Sequence, residues 1–415
     1  MRIGVTVIFL TFGNLPGVAS ADTPQHRLCA RDRLTCDWNG SRSALEAHGV
    51  NIDFSVTGYY QGLLSGGVDN VDFEFGGRAD GFITLNTEKL SLWHGGGFNF
   101  HLESRFGELA DRPVPSSGGI WPVNAGITTP LGDPGRLVGS SIYYSHRFGD
   151  NTSMMLGKIN AFDLLAKDPF FGGWARDRFN NVAFVAPPSG VVPPVIMGTI
   201  ISHRFNPWSL TFMVFDPNDR TNDYGFANLF NVGTNISLGT TWTGKLAGRS
   251  SSLGVTGTYS TKDGADLGQL LLPPDLKTGT LKGSYNLSVT ASHLIYESPA
   301  VPGKGFGIYA KAAKADGNPN PIQASFIGGF AGQGIVSGRP LDEFGIGYYF
   351  YDLSDALESS VDPVIPFDDE RGLELYYKVA MAPWFQFTVD LQWIDPARQE
   401  FGDAWDLALR ANIDF

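Results

Sequence analysis

The amino-acid sequence predicts an all-β protein: a 16-stranded antiparallel transmembrane β-barrel with a short N-terminal periplasmic segment. Apolar and polar residues alternate over many runs of about nine to eleven residues, the length of a tilted strand that crosses a bilayer. Glycine is abundant, at 52 of 415 residues, and aromatic residues make up 13% of the chain. Mean hydropathy is nevertheless only −0.07, as expected when one face of each strand meets lipid and the other meets water.

Composition also excludes several classes of protein. Hydrophobic residues make up 42% and charged residues 17% of the chain, which excludes wholesale disorder. The net charge of −12 argues against a nucleic-acid partner, whose phosphates need a basic surface. No serine-hydrolase elbow, phosphate-binding loop or zinc-helix motif occurs, so we expect no enzyme, no metal and no cofactor. A soluble lectin-like β-protein and an outer-membrane hydrolase remain the alternative classes.

Residues 1–21 have the features of a signal peptide. Arg2 provides the positive start, residues 3–12 a short apolar stretch, and Ala19-Ser20-Ala21 the cleavage site. The apolar stretch is shorter than the ~20 residues that a membrane helix needs. Cleavage would remove Arg2 as the only charged residue and leave a net charge of −13. We therefore expect a protein exported from the cytoplasm.

Residues 22–50 form the predicted periplasmic segment. Cys29 and Cys36 are the only cysteines, and they could form a local disulfide or remain two free thiols. Two cysteines are too few for a cysteine-based metal site. Ser41 or Ser43 could cap a short helix, which would serve as a lid or as a simple tether.

The barrel is predicted over residues 51–415. The candidate strands are 51–61, 79–89, 97–107, 139–148, 153–160, 195–204, 208–216, 228–243, 251–261, 281–296, 304–314, 325–334, 341–351, 371–382, 384–395 and 404–415. If the first strand begins in the periplasm, the odd-numbered connections are extracellular and long, whereas the even-numbered ones are short. Long external loops and short internal turns are typical of outer-membrane barrels.

Two of these strands place charged residues on the face opposite the apolar one. In the third strand, Phe98, Phe100 and Leu102 alternate with polar residues, which predicts that His101, Glu103 and Arg105 face the lumen. The same period predicts an inward face in the fourteenth strand, made of Glu374, Tyr376 and Lys378. Lys158 fits either face, because the alternation around it has two registers.

Five short segments occur in order from residue 38 to the C-terminal region. They are a Trp-x-Gly-x-Arg-x-x-Leu pattern over 38–49, a glycine-rich block over 66–96, Gly157-Lys158 with Phe162-Asp163, an Arg-x-x-Asp block over 338–342, and an aromatic and acidic pattern over 374–396. Together they resemble the OprB-type carbohydrate-selective porins. The cysteine pair and the Pro- and Val-rich loop over 161–194 depart from that family's pattern.

The resemblance implies a passive channel in the outer membrane of a Gram-negative bacterium, with a preference for glucose-like monosaccharides. It also implies that the barrel-assembly machinery recognises Phe415, although the same residue would serve simply as the lipid-facing end of the last strand. Outer-membrane lipid and small neutral sugars are the expected partners, and a homotrimer is left open. The alternative function is a general or ion-selective porin without sugar specificity.

A sugar channel needs charged hydrogen-bond partners for hydroxyls and aromatic faces for the apolar side of the ring. The long loop over 161–194 offers both types of side chain, and porins commonly fold such a loop into the lumen. Its candidates are Asp163, Lys167, Asp168, Phe170, Phe171, Trp174, Arg176, Asp177 and Arg178. Arg339 and Asp342, from the family-like block, are further pore candidates, unless they only pair with each other at a turn.

Overall fold

The computed structural model describes residues 31–68, 72–111, 117, 119–120, 122–128, 135–168, 170, 173–185, 191–277, 279–298 and 304–415. The signal peptide predicted at 1–21 lies outside these residues, and so does Cys29. Cys36 forms no disulfide within the described chain, and its sulfur accepts a hydrogen bond from Arg31 at 3.1 Å. The pairing of Cys29 with Cys36 therefore stays a prediction.

Sixteen antiparallel strands form one closed barrel, in which every strand pairs with its neighbours in sequence and the first pairs with the last. The strands are β1 (Val50–Ser65), β2 (Glu74–Asn86), β3 (Gly96–Gly107), β4 (Val138–Phe148), β5 (Thr152–Asn160), β6 (Val195–Phe205), β7 (Trp208–Phe215), β8 (Asn235–Leu246), β9 (Arg249–Ala265), β10 (Thr280–Glu297), β11 (Gly305–Ala315), β12 (Ile322–Gln333), β13 (Glu343–Leu353), β14 (Glu370–Ala382), β15 (Phe385–Asp395) and β16 (Ala404–Asp414). Closure leaves no unpaired strand edge in lipid, and the predicted fold class is confirmed.

Two strand boundaries differ from the prediction by more than a few residues. β2 begins at Glu74 and ends at Asn86, because the glycines at its start hide the alternation and residues 87–90 already form a turn. β8 begins at Asn235, whereas the sequence predicted a start at 228. Residues 228–234 belong instead to a folded connection whose backbone bonds to its own side chains.

The three longest connections, 108–137, 161–194 and 216–234, all lie at the end of the barrel that the sequence predicts to be extracellular. The 108–137 and 161–194 connections and the β13–β14 connection carry short helices, whereas the 216–234 connection, which is described in full, carries none. These are α2 (Glu108–Asp111), α3 (Ala125–Thr128), α4 (Ala161–Leu165), α5 (Val182–Val185) and α6 (Asp355–Val361), numbered after the N-terminal α1 (Ser41–Ala47). Among the described residues, no helix has the length and hydropathy needed to cross a membrane.

The predicted N-terminal helix exists as α1, but neither serine caps it. Gly40 occupies the N-cap position in a left-handed conformation, with φ at 92°. The carboxylate of Asp37 accepts hydrogen bonds from both the backbone and the hydroxyl of Ser43, each at 2.8 Å. The Asp37 side chain, from the preceding turn, therefore accepts from a free backbone N–H at the start of the helix. A search for a serine at the N-cap position does not detect this arrangement.

The N-terminal segment lies against the seam between β1 and β16. Arg42 Nη2 donates to the carbonyl of Phe415 at 2.8 Å, and the backbone N–H of Leu34 donates to the carbonyl of Asp414 at 2.8 Å. Arg42 also lies over the Trp38 ring, 4.2 Å from its centre. The segment is therefore held at the short-turn end of the barrel rather than extended into solvent.

The interior of the barrel is filled in part by two connections that fold inward. The largest apolar cluster packs Phe170, Phe179 and Phe184 of the 161–194 connection against Tyr309, Tyr349 and Tyr376 of the wall. A second cluster packs Ala125 and the Trp174 ring around Phe162. The protein core is therefore a plug of loop side chains inside the lumen.

Candidate functional site

The 161–194 connection turns into the lumen directly after β5. The side chain of Asn160 caps α4 by accepting from the backbone N–H of Phe162 at 3.0 Å. The Phe162 ring then stacks on the indole of Trp174, with ring centres 5.8 Å apart. Trp174 is 1% exposed, so this part of the connection is fixed in the middle of the barrel.

One half of the lumen wall carries buried charged side chains that hold the inserted connections. This half consists of β14, β15, β16, β1, β2 and β3. We call this half the anchoring wall. Its charged members are at most 6% exposed: Arg78, Asp80, His101, Glu103, Arg105, Glu370, Glu374, Lys378, Asp390, Asp406 and Arg410.

Arg78 is the centre of the β2–β3 part of the anchoring wall. Its guanidinium donates to Asp80 at 2.9 Å and to Glu103 at 2.7 Å. A further nitrogen donates to the carbonyl of Gly126 at 3.0 Å, and the guanidinium lies 3.7 Å from the centre of the Trp174 ring. Arg78 therefore joins two carboxylates and both inserted connections, using charge-assisted bonds and a cation–π contact.

His101 bridges the wall and the loop. Its Nε2 lies 2.9 Å from Asp80 Oδ1, and its Nδ1 lies 3.0 Å from Asp163 Oδ1 on α4. Asp80, His101 and Glu103 also bring ligand atoms close enough together for a metal ion. Because Arg78 already pairs with both carboxylates, this cluster is an ion-pair network rather than a metal site. Arg105 completes it by donating to the carbonyl of Ile127 at 2.8 Å.

The β14–β16 part of the anchoring wall holds the second half of the 161–194 connection. Arg410 donates to the carbonyl of Ala175 at 2.6 Å, to Asn180 Oδ1 at 2.7 Å and to the carbonyl of Arg178 at 2.7 Å. Glu374 accepts from the backbone N–H groups of Asn180 and, at 2.9 Å, Asn181. These bonds satisfy loop backbone groups that would otherwise be buried without partners.

Tyr376 and Lys378, on the same strand as Glu374, also contact the 161–194 connection. The Tyr376 ring packs edge-on against Phe179, with centres 4.9 Å apart. Lys378 Nζ lies 3.0 Å from Glu343 and 3.8 Å from Asp177. Burial alone would raise the pKa of Asp177, but the neighbouring cations, with Lys378 the strongest, hold that pKa below its usual range. Arg178 reaches Glu343 at 3.6 Å.

The predicted lumen orientation of His101, Glu103 and Arg105 agrees with the strand register, and so does that of Glu374, Tyr376 and Lys378. Their surroundings differ from the expectation of a charged wall facing water. Each of the six is nearly covered by the inserted connections or by neighbouring side chains. The loop candidates Asp163, Arg176 and Arg178 remain partly accessible, with side chains 17–18% exposed.

Arg339 and Asp342 form a turn pair and do not contact the inserted loop in the described chain. Both lie in the short connection between β12 and β13, where the Arg339 guanidinium bonds to the Asp342 carboxylate. Asp342 also accepts from the Tyr377 hydroxyl at 2.7 Å and from the Ala380 backbone at 2.9 Å. These contacts support the turn alternative and correct the expectation that the pair lines the pore.

Lys158 faces outward. Its register partners Ile142 and Met197 belong to the outward rows of β4 and β6. Lys158 is nevertheless only 2% exposed, because residues of the 216–234 connection cover it on the outside of the barrel. The sequence left its register open, and the pairing of β5 excludes a pore-lining role.

The other half of the lumen, over β7–β10, is lined mainly by serine and threonine. We call it the hydroxyl wall: Ser209, Thr211, Thr241, Thr243, Ser250, Ser252, Thr256, Thr290 and Ser292. Thr243 and Thr256 are exposed, and the others are half-buried. Water therefore reaches this half of the lumen, in contrast to the anchoring wall.

Two cavities flank the inserted loop. The one of about 440 Å³ lies between the loop edge and the hydroxyl wall, and it is lined by Lys167, Asp168, Phe170, Arg178, Thr243, Ser252, Ser292, Leu294 and Glu343 among others. The one of about 310 Å³ lies on the β2–β5 side, next to His101, Asp163, Trp174 and Arg176. Lys167 lines both cavities and is exposed, so it stands at the free edge of the loop.

Sequence reasoning missed the hydroxyl wall because it searched for charges and aromatic rings. A signal was present: in β8 and β9, Ser and Thr recur at every second position opposite Leu, Val and Tyr. A neutral polar row of this kind is typical of a wall that meets water without forming ion pairs.

A closed sixteen-stranded barrel with a long connection folded into its lumen is a porin. The sequence pattern of the family described as "Carbohydrate-selective porin, OprB family" matches residues 77–415, and the chain belongs to this family. OprB-type porins are outer-membrane proteins of Gram-negative bacteria, and family and fold together indicate a channel rather than an enzyme.

Solved structures give a concordant result for the fold. The chain is similar to the high-pH structure of Pseudomonas putida OprB, with a TM-score of 0.79 and 18% identity over 92% of this chain and 98% of that one. For the low-pH structure of the same porin, the TM-score is 0.58 with 13% identity at the same coverage. A comparison with curated proteins finds no match.

Proposed function

We propose that this porin carries glucose-like monosaccharides across the outer membrane by facilitated diffusion. The observation that carries the proposal is the cavity of about 440 Å³ between the loop edge and the hydroxyl wall. Its size suits a ligand of a few rings at most, since pockets for small molecules are of about 300–1,000 Å³.

The chemistry of this cavity matches an uncharged polyol. Thr243, Ser252 and Ser292 each offer one donor and two acceptor lone pairs, so they can bond a sugar hydroxyl in either sense. The loop edge adds a cation, Lys167, and an anion, Asp168, while Phe170 and Leu294 provide apolar surface for a ring face. A site built from neutral hydroxyls and one exposed lysine is weak enough for release, as transport requires.

The charges of the anchoring wall support a preference for neutral solutes. Arg78 is paired with Asp80 and Glu103, and Lys378 with Glu343. Because these pairs neutralise one another beside the path, we expect no strong selection among ions.

Planar-bilayer conductance tests the proposal. We expect millimolar glucose to block the ion current, and liposomes to swell faster in monosaccharides than in disaccharides. Lys167→Ala should weaken the glucose block about tenfold, the loss of one charge-assisted hydrogen bond of about 1.5 kcal/mol. Lys282→Ala is the control, because Lys282 is exposed at the far end of β10 and does not line the cavity.

Conduction of ions with no glucose block and no sugar-dependent swelling would favour the ion-selective alternative over a sugar channel. Export by the signal peptide, recognition of Phe415 by the assembly machinery and a homotrimer stay predictions. In the folded barrel, the Phe415 ring lies 5.3 Å from the Phe54 ring, and its backbone N–H donates to Phe54 at 2.9 Å.

A further inference from the structure

The 216–234 connection folds back over the outside of the barrel instead of entering the lumen. Lys158 Nζ, on the outward row of β5, donates to the carbonyl of Thr221 at 2.7 Å and lies 4.3 Å from the centre of the Tyr224 ring. The Tyr224 hydroxyl accepts from the backbone N–H of Gly139, in β4, at 3.1 Å. This connection therefore forms a flap on the face of the barrel that meets lipid.

Side chains of the flap bond to its own backbone, as an irregular segment beside lipid requires. Arg220 is 3% exposed and donates to the carbonyls of Ala227 at 3.2 Å and Asn228 at 3.1 Å. Asp216 pairs with Arg220 at 2.8 Å and accepts from the backbone N–H of Phe230 at 2.5 Å. One buried ion pair thus links the start of the connection to its later residues Ala227, Asn228 and Phe230.

Aromatic side chains of the flap remain exposed beside the wall. Tyr224, which contacts Lys158, is 58% exposed, and Phe226 is 76% exposed. Between the flap and the wall lies a groove of about 550 Å³, lined by Phe100, Ile142, Leu156, Val214, Phe226 and Phe230 among others. The wall members of this set belong to outward rows of β3, β4, β5 and β7, so the groove opens to the same side as the lipid-facing surface.

We propose that this groove binds a hydrocarbon chain of a membrane lipid. The groove continues the lipid-facing wall of the barrel, where the surrounding medium is acyl chains rather than water. Its side-chain lining is almost wholly apolar, so water would gain too few hydrogen bonds there to fill it. An acyl chain is flexible and narrow enough to enter, and it would recover the packing contacts that an empty groove forfeits.

Native mass spectrometry of the intact protein tests this proposal. The porin is mixed with dioleoyl phosphatidylethanolamine in octyl glucoside, and the lipids that stay bound are counted. We expect one retained lipid in the unsubstituted protein. Leu156→Trp fills the groove without adding polarity and should reduce retention about tenfold or more, because several methylene contacts are lost. Leu238→Trp, on the outward row of β8 and 54% exposed, is the matched control and should retain lipid.

Phe226→Ser provides a second variant in case the tryptophan prevents folding, since Phe226 lies on the flap and not in the wall. Equal retention in Leu156→Trp and Leu238→Trp would overturn the proposal, as would no retained lipid in the unsubstituted protein. Dimers or trimers that are lost specifically in Leu156→Trp would assign the groove to a second copy of the chain instead. Glucose block should be unchanged in these variants, which separates this test from that of the sugar channel.

Discussion

In the anchoring wall, charged side chains are buried against two inserted connections, whereas in the hydroxyl wall small neutral side chains meet water. Arg78 is 0% exposed, while Thr243, on the other side of the loop, is exposed. Both rows face the same lumen and follow the same two-residue period. The difference shows that a lumen-facing charge need not be a pore-lining charge: in this barrel, buried wall charges hold the loop, and the hydroxyl wall borders the larger of the two cavities beside the loop.

The largest effect is expected on stability, from substitution of Arg78 in the anchoring wall. Arg78→Met would remove the cation that the buried Asp80 and Glu103 share. We expect a loss of about 3–5 kcal/mol of stability, typical when one partner of a buried ion pair is removed. The temperature at which the folded band disappears on an SDS gel measures this loss.

Thr241→Ala, in the hydroxyl wall, provides the comparison for stability. Thr241 is half-buried and faces the lumen, so its loss should change stability by no more than about 0.5 kcal/mol. Equal destabilisation by the two changes would contradict the division of the wall into two halves.

A second, smaller effect concerns loop position rather than stability. Arg410→Ala removes three hydrogen bonds to the loop, at Ala175, Arg178 and Asn180. We expect a more mobile loop, a larger and noisier single-channel conductance, and a weaker glucose block. Arg371→Ala is the control, because Arg371 is 53% exposed and its pair with Asp395 lies at the surface. Unchanged conductance in Arg410→Ala would show that the loop does not depend on this anchor.

The hydroxyl wall can be tested by narrowing it. Ser252→Trp would place a large ring in the cavity of about 440 Å³ and should slow glucose-driven liposome swelling several-fold without loss of stability. Its chain neighbour Leu253 faces outward and is 46% exposed, so Leu253→Trp should leave swelling unchanged. If both variants transport glucose at the unsubstituted rate, the cavity is not on the sugar path.

The smallest expected effect is a pH dependence in the stability of the 354–369 connection, between β13 and β14. Burial, followed by the carboxylates of Asp369 and Asp368, raises the pKa of Glu358 in α6 to about 7. The folded loop then binds more protons than the unfolded chain between about pH 5 and pH 7, so its stability falls as the pH rises through that window. We expect the 354–369 connection to be cleaved by protease faster at pH 8 than at pH 5.

Glu358→Gln should remove this pH dependence, because the amide does not titrate. Glu400→Gln, on the next extracellular connection, is the matched control and should keep it. Persistence of the full pH dependence in Glu358→Gln would assign it to other groups of the loop.

The sequence was sufficient for the barrel because the alternation of strands such as β3 is imposed by lipid on one side and water on the other. It was also sufficient for the orientation of His101, Glu103 and Arg105, which follows from the same period. It could not show that Gly126 and Ile127, from a distant connection, bond to Arg78 and Arg105, because such contacts depend on how two loops fold together inside the lumen.

Lys158 illustrates a different limit of prediction from the sequence. Its local pattern permits both faces, and only the pairing of β5 with β4 and β6 decides between them. Arg339 and Asp342 were placed in the pore through a family-like block, whereas their spacing of three residues already suited a local pair at a turn. Local chemistry was the better guide there.

Accessibility of single cysteines tests the central claim most directly. In a protein with both native cysteines replaced by serine, a charged methanethiosulfonate is added while the current is recorded. Thr243→Cys, in the hydroxyl wall, should react and lose current, and glucose should slow the reaction. Thr57→Cys, which also faces the lumen but is 0% exposed beside Asn412, should not react. Reaction at Thr57→Cys with glucose protection, and none at Thr243→Cys, would place the sugar path along the anchoring wall and contradict this account.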